Sequence, residues 1–382
     1  MYKGLLSLAL GTFALGMAEF SMMGILSDVA REMDISISRA GDFISAYAIG
    51  VAVGSSFLLL LRKASLTRVL VWLSVVIIAG NIMASVAANY TTLLAGRFIS
   101  GLPHGAYFGT AAIVASRISP SGKGAEAVAI MVAGMSVANV IGVPVATLMS
   151  ALVSWRIAFV AAAFMGLLAA ISIGRLVPDV YLENPGTLKS QFGFLRSAAP
   201  WLIFAATFLG QGSIYCWYSY VEPVMTTITG FSYDSMTFVM MLAGSGLVAG
   251  GLLAGRLADR YRPSVVTGCI TAATIVVLPL IYLCAPYKIP SLILLFIATA
   301  SLFGIGGPLQ FLIIRYSKGG EMLGGAGIQI AFNTSNALAA ALGGAVINAG
   351  FGLASPALAG IPLAIAATAV LIVFTRRYSP GK

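Results

Sequence analysis

Three ionisable residues lie in stretches of sequence that are otherwise apolar: Glu19, Arg97 and His104. Arg97 and His104 are seven positions apart, which is about two helical turns and places them on one face of a helix. Burial of a carboxyl group disfavours its charged form, whereas a nearby cation favours that form. A carboxyl group under both influences can bind and release a proton as its surroundings change. The sequence therefore predicts a proton-coupling site formed by these three residues.

Simpler alternatives exist for the same residues. Glu19 and Arg97 could form a static ion pair that only holds two helices together. His104 lies in Gly-Leu-Pro-His-Gly, where Pro103 could kink the helix and free a carbonyl group for the imidazole to bond. Ionisable groups inside a membrane are functional by default, which favours the proton-coupling interpretation for Glu19. For His104 the two interpretations stay open.

Uncharged polar side chains also recur in apolar stretches, some of them at helical spacing. An amide or a phenol is costly in lipid, so it faces a cavity or another helix. Two stripes follow the pattern i, i+4, i+7: the first is Gln211, Tyr215 and Tyr218, and the second is Gln329, Asn333 and Asn336. Two further residues, Asn139 and Gln310, stand alone in their apolar stretches. We predict that they line a substrate cavity, with hydrogen bonds between helices as the alternative. Glu222 extends the first stripe and is predicted to be an interfacial carboxylate.

The composition determines the surroundings in which these residues act. The chain has 382 residues, of which 59% are hydrophobic and only 9% charged, and its mean hydropathy is +0.98. Soluble domains carry about 25% charged residues. The composition therefore excludes a cytosolic enzyme, a secreted disulfide scaffold and a disordered adaptor.

Twelve apolar stretches are long enough to cross roughly 30 Å of hydrocarbon as helices. They are predicted at 4–26, 40–61, 66–88, 93–116, 127–152, 156–177, 200–226, 235–257, 264–285, 290–314, 322–350 and 354–375. A polar stretch at 178–199 separates the first six from the last six. The sequence thus predicts an all-α membrane protein with an N-terminal six-helix bundle (1–177), a cytoplasmic linker (178–199) and a C-terminal six-helix bundle (200–382).

The two predicted bundles show internal similarity. Ser36, which precedes Gly50 and Gly54, corresponds at an offset of 196 residues to Ser232, which precedes glycines 246 and 250. Two parallel repeats of six helices are a known transporter arrangement, with the substrate site between the halves. We therefore predict two pseudo-symmetric bundles.

The basic residues predict how the chain is oriented. If the N-terminus is cytoplasmic, 17 of the 22 Lys and Arg residues face the cytoplasm, four face the outside and Arg97 lies within a helix. Short cytoplasmic loops of membrane proteins carry such an excess. The net charge of +10 therefore indicates topology, with both termini cytoplasmic, and it does not indicate a nucleic-acid partner.

The sequence lacks the motifs that several kinds of chemistry require. No Gly-x-x-x-x-Gly-Lys-Ser/Thr loop is present, so direct use of ATP is excluded. The cysteines, Cys216, Cys269 and Cys284, show no paired ligand spacing. We predict no metal, no cofactor and no enzymatic activity, and the lack of a filter-like sequence disfavours a channel.

Three segments resemble motifs of the major facilitator superfamily. Leu93–Gly109 resembles its fourth-helix motif, with Arg97 as the arginine, and Gly134–Pro144 resembles the fifth-helix motif of its twelve-helix drug:proton antiporters. Gly255–Arg262 is similar to its cytoplasmic loop motif, whereas Arg62 stands where the first-half copy has an aspartate. The segments LSLALGTFALGMAEF, SAAPWLIFAAT and KGGEMLGGAGIQIAFN resemble a sugar-efflux-type subgroup.

The resemblance implies the major facilitator fold and residues that control conformational change: Gly134, Gly142, Pro144, Gly255, Asp259 and Arg260. It also implies exchange of protons for a small organic solute. The expected function is therefore proton-coupled export of a drug, sugar or related metabolite by alternating access, by a monomer in the lipid of a bacterial inner membrane. Proton-linked uptake of a sugar or nucleoside is the alternative, and a non-transporting receptor or a channel is a third possibility.

Overall fold

The computed structural model describes residues 2–57, 64–120, 124–181, 192–318 and 320–378, which are almost entirely helical. The α-helices of ten or more residues in these ranges are α1 (Tyr2–Gly24), α2 (Asp42–Phe57), α3 (Leu66–Ser85), α4 (Tyr90–Gly101), α5 (Pro103–Ile118), α6 (Gly124–Val137), α7 (Val143–Leu152), α8 (Arg156–Leu176), α9 (Ala198–Tyr218), α10 (Met236–Arg260), α11 (Pro263–Cys284), α12 (Lys288–Tyr316), α13 (Glu321–Val346) and α14 (Ile361–Tyr378). Short helices are Leu26–Glu32, Ile37–Ala40, Val221–Pro223 and Pro356–Ala359, and 3₁₀ turns are Gly193–Arg196 and Tyr233–Ser235. Single π-helical turns are Ala138–Gly142, Val224–Ile228 and Ile347–Phe351.

Nine helical stretches in the described ranges are long and apolar enough to cross a membrane. They are Tyr2–Gly24, Leu66–Ser85, Ala127–Leu152, Arg156–Leu176, Tyr233–Arg260, Pro263–Cys284, Lys288–Tyr316, Leu323–Phe351 and Pro356–Tyr378. The chain is therefore an integral membrane protein made of helices, as its composition predicts.

The remaining three predicted spans are interrupted or partly outside the described residues. The stretch 93–116 forms two helices that meet at Leu102, because Pro103 has no N–H group with which to continue the helical hydrogen bonds. The stretch 200–226 leaves α-helical geometry after Tyr218, shortly before Pro223. The stretch 40–61 is helical as far as Phe57, and its last residues, which adjoin Arg62, lie outside the described ranges.

Close backbone contacts repeat at the sequence offset noted above. A Cβ atom added at Gly54 of α2 would lie 1.8 Å from the carbonyl oxygen of Leu102. One added at Gly250 of α10 would lie 1.8 Å from the carbonyl oxygen of Ala300 in α12. Helices in lipid associate through such small residues, since apolar side chains gain little by leaving lipid for each other. The repeated segments therefore make matching helix contacts.

The first half of the chain (2–181) and the second half (192–378) meet along two seams. At one seam α2 packs against α13. At the other, α10 packs against α7 and the π-helical turn Ala138–Gly142.

Two hydrophobic cores show where the halves are joined. The larger core contains residues of both halves, among them Phe43 and Val143 from the first and Val224 and Met240 from the second. Among the described residues, the smaller core contains first-half residues alone, from Leu5 to Val177. The halves therefore share one core toward the end of the molecule that carries residues 25–41, which we call the 25–41 end.

The chain leaving α8 is held against the start of α3. The backbone N–H of Leu66 donates to the carbonyl oxygen of Val180 at 2.8 Å, and the Ser65 hydroxyl donates to the Asp179 carboxylate. This hydrogen bond, together with the Arg68 guanidinium, lowers the pKa of the exposed Asp179 carboxyl group below its ordinary value. Contacts made by the ionised carboxylate are therefore lost as pH falls through that lowered pKa. Residues 182–191 of the predicted linker lie outside the described ranges.

Gly244 of α10 should be intolerant of a side chain. A Cβ atom there would lie 2.0 Å from the carbonyl oxygen of Asn139, across the seam between the halves. Gly251 on the same helix is a matched control, because its added Cβ would meet only Phe303 at an ordinary 3.8 Å. We expect Gly244→Ala to lower the unfolding free energy by about 1–3 kcal/mol through overpacking. Thermal unfolding in detergent measures this loss of stability. An equal loss of stability in Gly251→Ala would contradict the role of the contact between Gly244 and Asn139.

Candidate functional site in the helical bundle

Glu19 lies near the C-terminal end of α1, and it is 1% exposed. Neither carboxylate oxygen has a hydrogen-bond partner among the residues that the structure describes. Nδ1 of His104 is 3.8 Å from Oε2 of Glu19, which is beyond hydrogen-bond distance. An ionised carboxylate without donors is costly to bury, so this environment disfavours the charged group.

His104 lies in the first turn of α5 and is also buried. Its Nδ1 is 2.8 Å from the Tyr47 hydroxyl of α2, and the Phe108 ring stacks on it at 5.2 Å between centroids. The α-helix is interrupted at Leu102, before Pro103, but Nδ1 is paired with a phenol and not with a freed carbonyl, which corrects that part of the alternative interpretation. The Tyr47 hydroxyl can reach His104 because α2 lies close to the end of α4. A Cβ atom added at Gly101 of α4 would lie 2.1 Å from the Tyr47 carbonyl oxygen.

Arg97 of α4 is fully buried and holds three helices together. Its Nη1 donates to the carbonyl oxygen of Ala18, and its Nε donates to that of Phe43 at 3.2 Å. Its guanidinium lies 4.5 Å from the centroid of the Tyr47 ring. Among the described residues, no atom of Arg97 lies within the 4.0 Å ion-pair distance of the Glu19 carboxylate. The static Glu19–Arg97 pair is therefore not formed, because the guanidinium is directed at backbone carbonyls.

The fifth-helix segment packs against α1 on one side and α10 on the other. A Cβ at Gly134 would lie 2.0 Å from the Ala9 carbonyl oxygen, and one at Gly142 would meet Phe13. Pro144 is the second residue of α7, which follows the π-helical turn. Asn139 lies within the turn at 2% exposure, and its amide has no partner among the described residues.

The stripe on α9 is buried. Gln211 donates from Nε2 to the Leu302 carbonyl oxygen at 3.3 Å, which is a hydrogen bond between helices. Tyr215 and Tyr218 are almost fully buried and lie near Glu19. The Tyr215 hydroxyl has no partner in the described part of the chain. The structure therefore brings these two phenols to the Glu19 region, whereas Gln211 bonds within the second half.

The residues of the stripe on α13 differ in how deeply they are buried. Asn333 and Asn336 are fully buried, while Gln329 is half-buried near Gly105 of α5, whose added Cβ would be 3.6 Å from the Gln329 Cβ. Asn333 donates from Nδ2 to the Gln329 carbonyl oxygen, and both amide atoms of Asn336 are without a partner in the described ranges. Gln310 is half-buried on α12 near Gly325.

The predicted loop motif lies at the end opposite the 25–41 end. Gly255 has no atom within 4 Å of an added Cβ, and Asp259 and Arg260 are exposed. Asp259 has no ion pair within 4.0 Å among the residues described.

Sequence reasoning did not include Tyr47 in the site. The structure places its hydroxyl against His104 and its ring against Arg97, so that it touches two of the three predicted residues. A signal existed, because Tyr47 lies one turn before Gly50 on the repeat segment that contacts α4. Spacing alone does not show which way the phenol points.

The sequence also did not predict a set of hydrogen bonds that join the two halves at the 25–41 end. The Ser27 backbone N–H donates to Oε2 of Glu222 at 2.8 Å, from one half of the chain to the other. The Ser45 hydroxyl of α2 donates to the Ala337 carbonyl oxygen of α13 at 2.8 Å. Glu222 is 2% exposed, so it is a buried link between halves and not the interfacial carboxylate that its position near a helix end predicts.

The fold and these polar residues define a membrane transporter. Residues 8–326 match the model of the Major Facilitator Superfamily, and the chain belongs to that family. The resemblance seen in the three motifs is confirmed, and the family consists of transporters and not of enzymes.

Individual relatives are similar along nearly the whole chain. The chain is 45% identical over 377 residues to "Putative transporter AraJ" of Escherichia coli (strain K12), covering 98% of this chain and 96% of that protein. It is 35% identical over 372 residues to "Inner membrane transport protein YdhP" of the same strain, covering 97% and 95%.

Two solved structures share the fold at low identity. One is a bacterial homologue of the human lysosomal transporter Spinster in an inward-facing, occupied conformation, with a TM-score of 0.73, 15% identity and coverage of 98% of this chain and 97% of that one. The other is a D-xylose–proton symporter, with a TM-score of 0.73, 14% identity and coverage of 95% and 96%.

Proposed function

We propose that the chain is a proton-coupled secondary active transporter that exports a small organic solute by alternating access. The observation that carries this proposal is the buried Glu19 carboxyl group, which lacks any hydrogen-bond donor in the described residues. A group in this environment is stable when protonated and costly when ionised. A change of conformation that admits water to Glu19 would reverse that preference and release the proton.

The position of Glu19 supports coupling to the two halves of the transporter. Its neighbour His104 is in the first half, and Tyr215 and Tyr218, which also lie near it, are in the second. We propose that the halves are two pseudo-symmetric six-helix bundles, 1–177 and 200–382, joined by a linker at 178–199. Rocking of one bundle against the other would then change the surroundings of Glu19 directly.

We propose that the solute binds among the polar side chains between the bundles. Buried amides and phenols without partners are costly unless something pairs with them. Asn139 on one side and Tyr215 and Asn336 on the other carry such atoms within the described residues. A solute that offers hydrogen-bond donors and acceptors would satisfy them, so we propose neutral, zwitterionic or weakly cationic solutes.

The conformation fits a transporter that releases its solute toward one side of the membrane at a time. The halves share a hydrophobic core and hydrogen bonds at the 25–41 end, while Asp259, at the other end, makes no ion pair among the described residues. With both termini cytoplasmic, as the basic residues predict, this is an inward-open state. Export is supported by the likeness of residues 134–144 to the antiporter motif, and we propose a bacterial inner membrane as its location.

The Glu222 link should hold the outer end closed. We expect Glu222→Leu to open this end, because it removes the acceptor of the Ser27 N–H, whereas Glu222→Gln keeps an oxygen acceptor. Loss of a hydrogen bond to a charged group shifts the open–closed ratio by roughly tenfold or more. Ser45→Cys, made in a background without the thiols of Cys269 and Cys284, reports opening by its rate of labelling with an impermeant maleimide. Equal rates in the Leu and Gln variants would contradict the proposed gate.

The transport function is tested in proteoliposomes that contain an internal pH dye. With a proton gradient imposed, sugars, nucleosides and lipophilic cations are added singly, and proton movement and solute movement are both recorded. We expect one solute class to move against the proton flux with saturation. Movement in the same direction as protons would establish uptake, and solute movement without saturation would indicate a channel.

A further inference from the structure

A basic pocket lies far from Glu19, where the end of the linker meets the end of α12. It has a volume of about 650 Å³ and is lined by Phe194, Arg196, Ser197, Arg315, Tyr316 and Lys318. We call it the linker pocket. It is a depression that is largely open to solvent.

The charges around the linker pocket are unbalanced. Three of its side chains are cationic, and no carboxylate lines it among the residues that the structure describes. Arg196, Arg315 and Lys318 are exposed, and none makes an ion pair within 4.0 Å in the described ranges. Like charges held around one depression repel each other and attract an anion. Arginine matches the geometry of phosphate oxygens, and lysine adds a mobile positive charge.

The walls of the linker pocket are held by contacts behind it. The Tyr316 hydroxyl donates to the Tyr378 carbonyl oxygen at 2.7 Å, and the Tyr316 ring packs on Phe374 of α14. The Trp201 indole N–H donates to the Leu195 carbonyl oxygen at 2.9 Å, which ties the 3₁₀ turn to α9. The cations are therefore carried on segments that are anchored, and not on free chain ends.

Exposed apolar side chains adjoin the pocket on both helices. Trp201 lies one turn beyond Ser197 and is 56% exposed, and Phe311 lies one turn before Arg315 and is 56% exposed. Residues four apart share a helix face. Tryptophan is enriched at membrane interfaces, where its ring lies at headgroup level. The cations thus stand at the border between an apolar surface and an aqueous one.

We propose that the linker pocket binds a phosphate-bearing anion, which joins the linker to the second half of the transporter. The phosphodiester headgroup of an anionic phospholipid and a soluble phosphate ion share this chemistry. Binding would connect the 3₁₀ turn Gly193–Arg196 to the end of α12 through shared phosphate oxygens. This inference depends on the family and the topology, and not on proton coupling at Glu19.

The test compares two triple variants of the full-length protein. Arg196→Gln/Arg315→Gln/Lys318→Gln removes the pocket cations, and Lys3→Gln/Arg175→Gln/Arg256→Gln removes three exposed cations from the same predicted face. Each is purified from nanodiscs that contain phosphatidylcholine with phosphatidylglycerol, and retained phosphatidylglycerol is counted by native mass spectrometry. We expect retention to fall about fivefold for each pocket cation removed, and to be unchanged in the control triple.

A second measurement separates the two sources of phosphate. In phosphatidylcholine nanodiscs, the melting temperature is recorded in sodium phosphate and in sodium chloride of equal ionic strength. A phosphate-dependent rise in wild type that is absent from the pocket triple, without any preference for phosphatidylglycerol, assigns the site to a soluble phosphate. The proposal is overturned if both triples lose the lipid equally, or if neither probe distinguishes wild type from the pocket triple.

Discussion

Glu19→Gln is expected to abolish solute-driven proton movement while the protein still folds. Glutamine has nearly the shape of glutamic acid but cannot bind and release a proton at that position. The native carboxyl group has no hydrogen-bond donor among the described residues, so the substitution removes no such bond. In proteoliposomes with an internal pH dye, proton flux on addition of solute should fall to the level of empty vesicles. Solute exchange without a proton gradient can persist.

The control for this prediction is Asp34→Asn. Asp34 is an exposed carboxylate at the 25–41 end, with a backbone φ of 51° that asparagine also adopts readily. The substitution removes the same charge without touching the buried site. Wild-type proton flux in Asp34→Asn and full loss in Glu19→Gln support the role of Glu19. Retention of full coupling in Glu19→Gln would contradict it.

Arg97→Met is expected to reduce transport strongly with little loss of stability. Arg97 fixes α1 to α2 and α4 through the carbonyl oxygens of Ala18 and Phe43, and Ala18 directly precedes Glu19. Misplacing a reacting group by about 1 Å can cost roughly 100-fold in rate. Stability is expected to hold, because Arg97 has no carboxylate partner within 4.0 Å among the described residues, so that removing its buried charge relieves a desolvation cost that offsets the lost hydrogen bonds.

Two comparisons make the Arg97 prediction specific. Arg97→Lys keeps the positive charge, but a single ammonium group cannot reproduce the fork that reaches two carbonyl groups, so its transport should be intermediate. Arg175→Met changes an exposed arginine of α8 and should transport as wild type does. Transport rate and melting temperature are measured on all four proteins. A large fall in melting temperature in Arg97→Met would indicate a structural role and contradict the account.

The sequence predicts which residues are buried better than it predicts their partners. Glu19, Arg97 and His104 are buried, as expected for ionisable groups in apolar stretches. The carbonyl partners of Arg97 and the Tyr47 partner of His104 were not predicted. Those partners depend on how closely two helices approach, which residue spacing along one helix does not contain.

The interruptions of the helices were likewise predicted only where a local property of the sequence causes them. Pro103 lacks a backbone N–H, and this local property allows a kink to be predicted at that point. The departure from helical geometry after Tyr218 was not predicted, and it accompanies the buried link between Glu222 and Ser27 of the other half. Long-range contacts of this kind are not encoded in local sequence periodicity.

The stripe on α13 could be predicted in part. Spacing places Gln329, Asn333 and Asn336 on one face, and two of the three are fully buried. Which neighbouring helix that face meets is determined by packing of the two halves against each other. The roles of these residues in binding a solute stay predictions.

Proton release on solute binding would show whether Glu19 carries the exchanged proton. The solute found in the vesicle screen is added to purified protein in weakly buffered detergent solution, and the pH change is recorded without any membrane or gradient. If solute and proton compete through Glu19, wild type and Asp34→Asn should release protons in proportion to the solute bound. Glu19→Gln should bind the solute and release none. Proton release from Glu19→Gln equal to that from wild type would contradict the account.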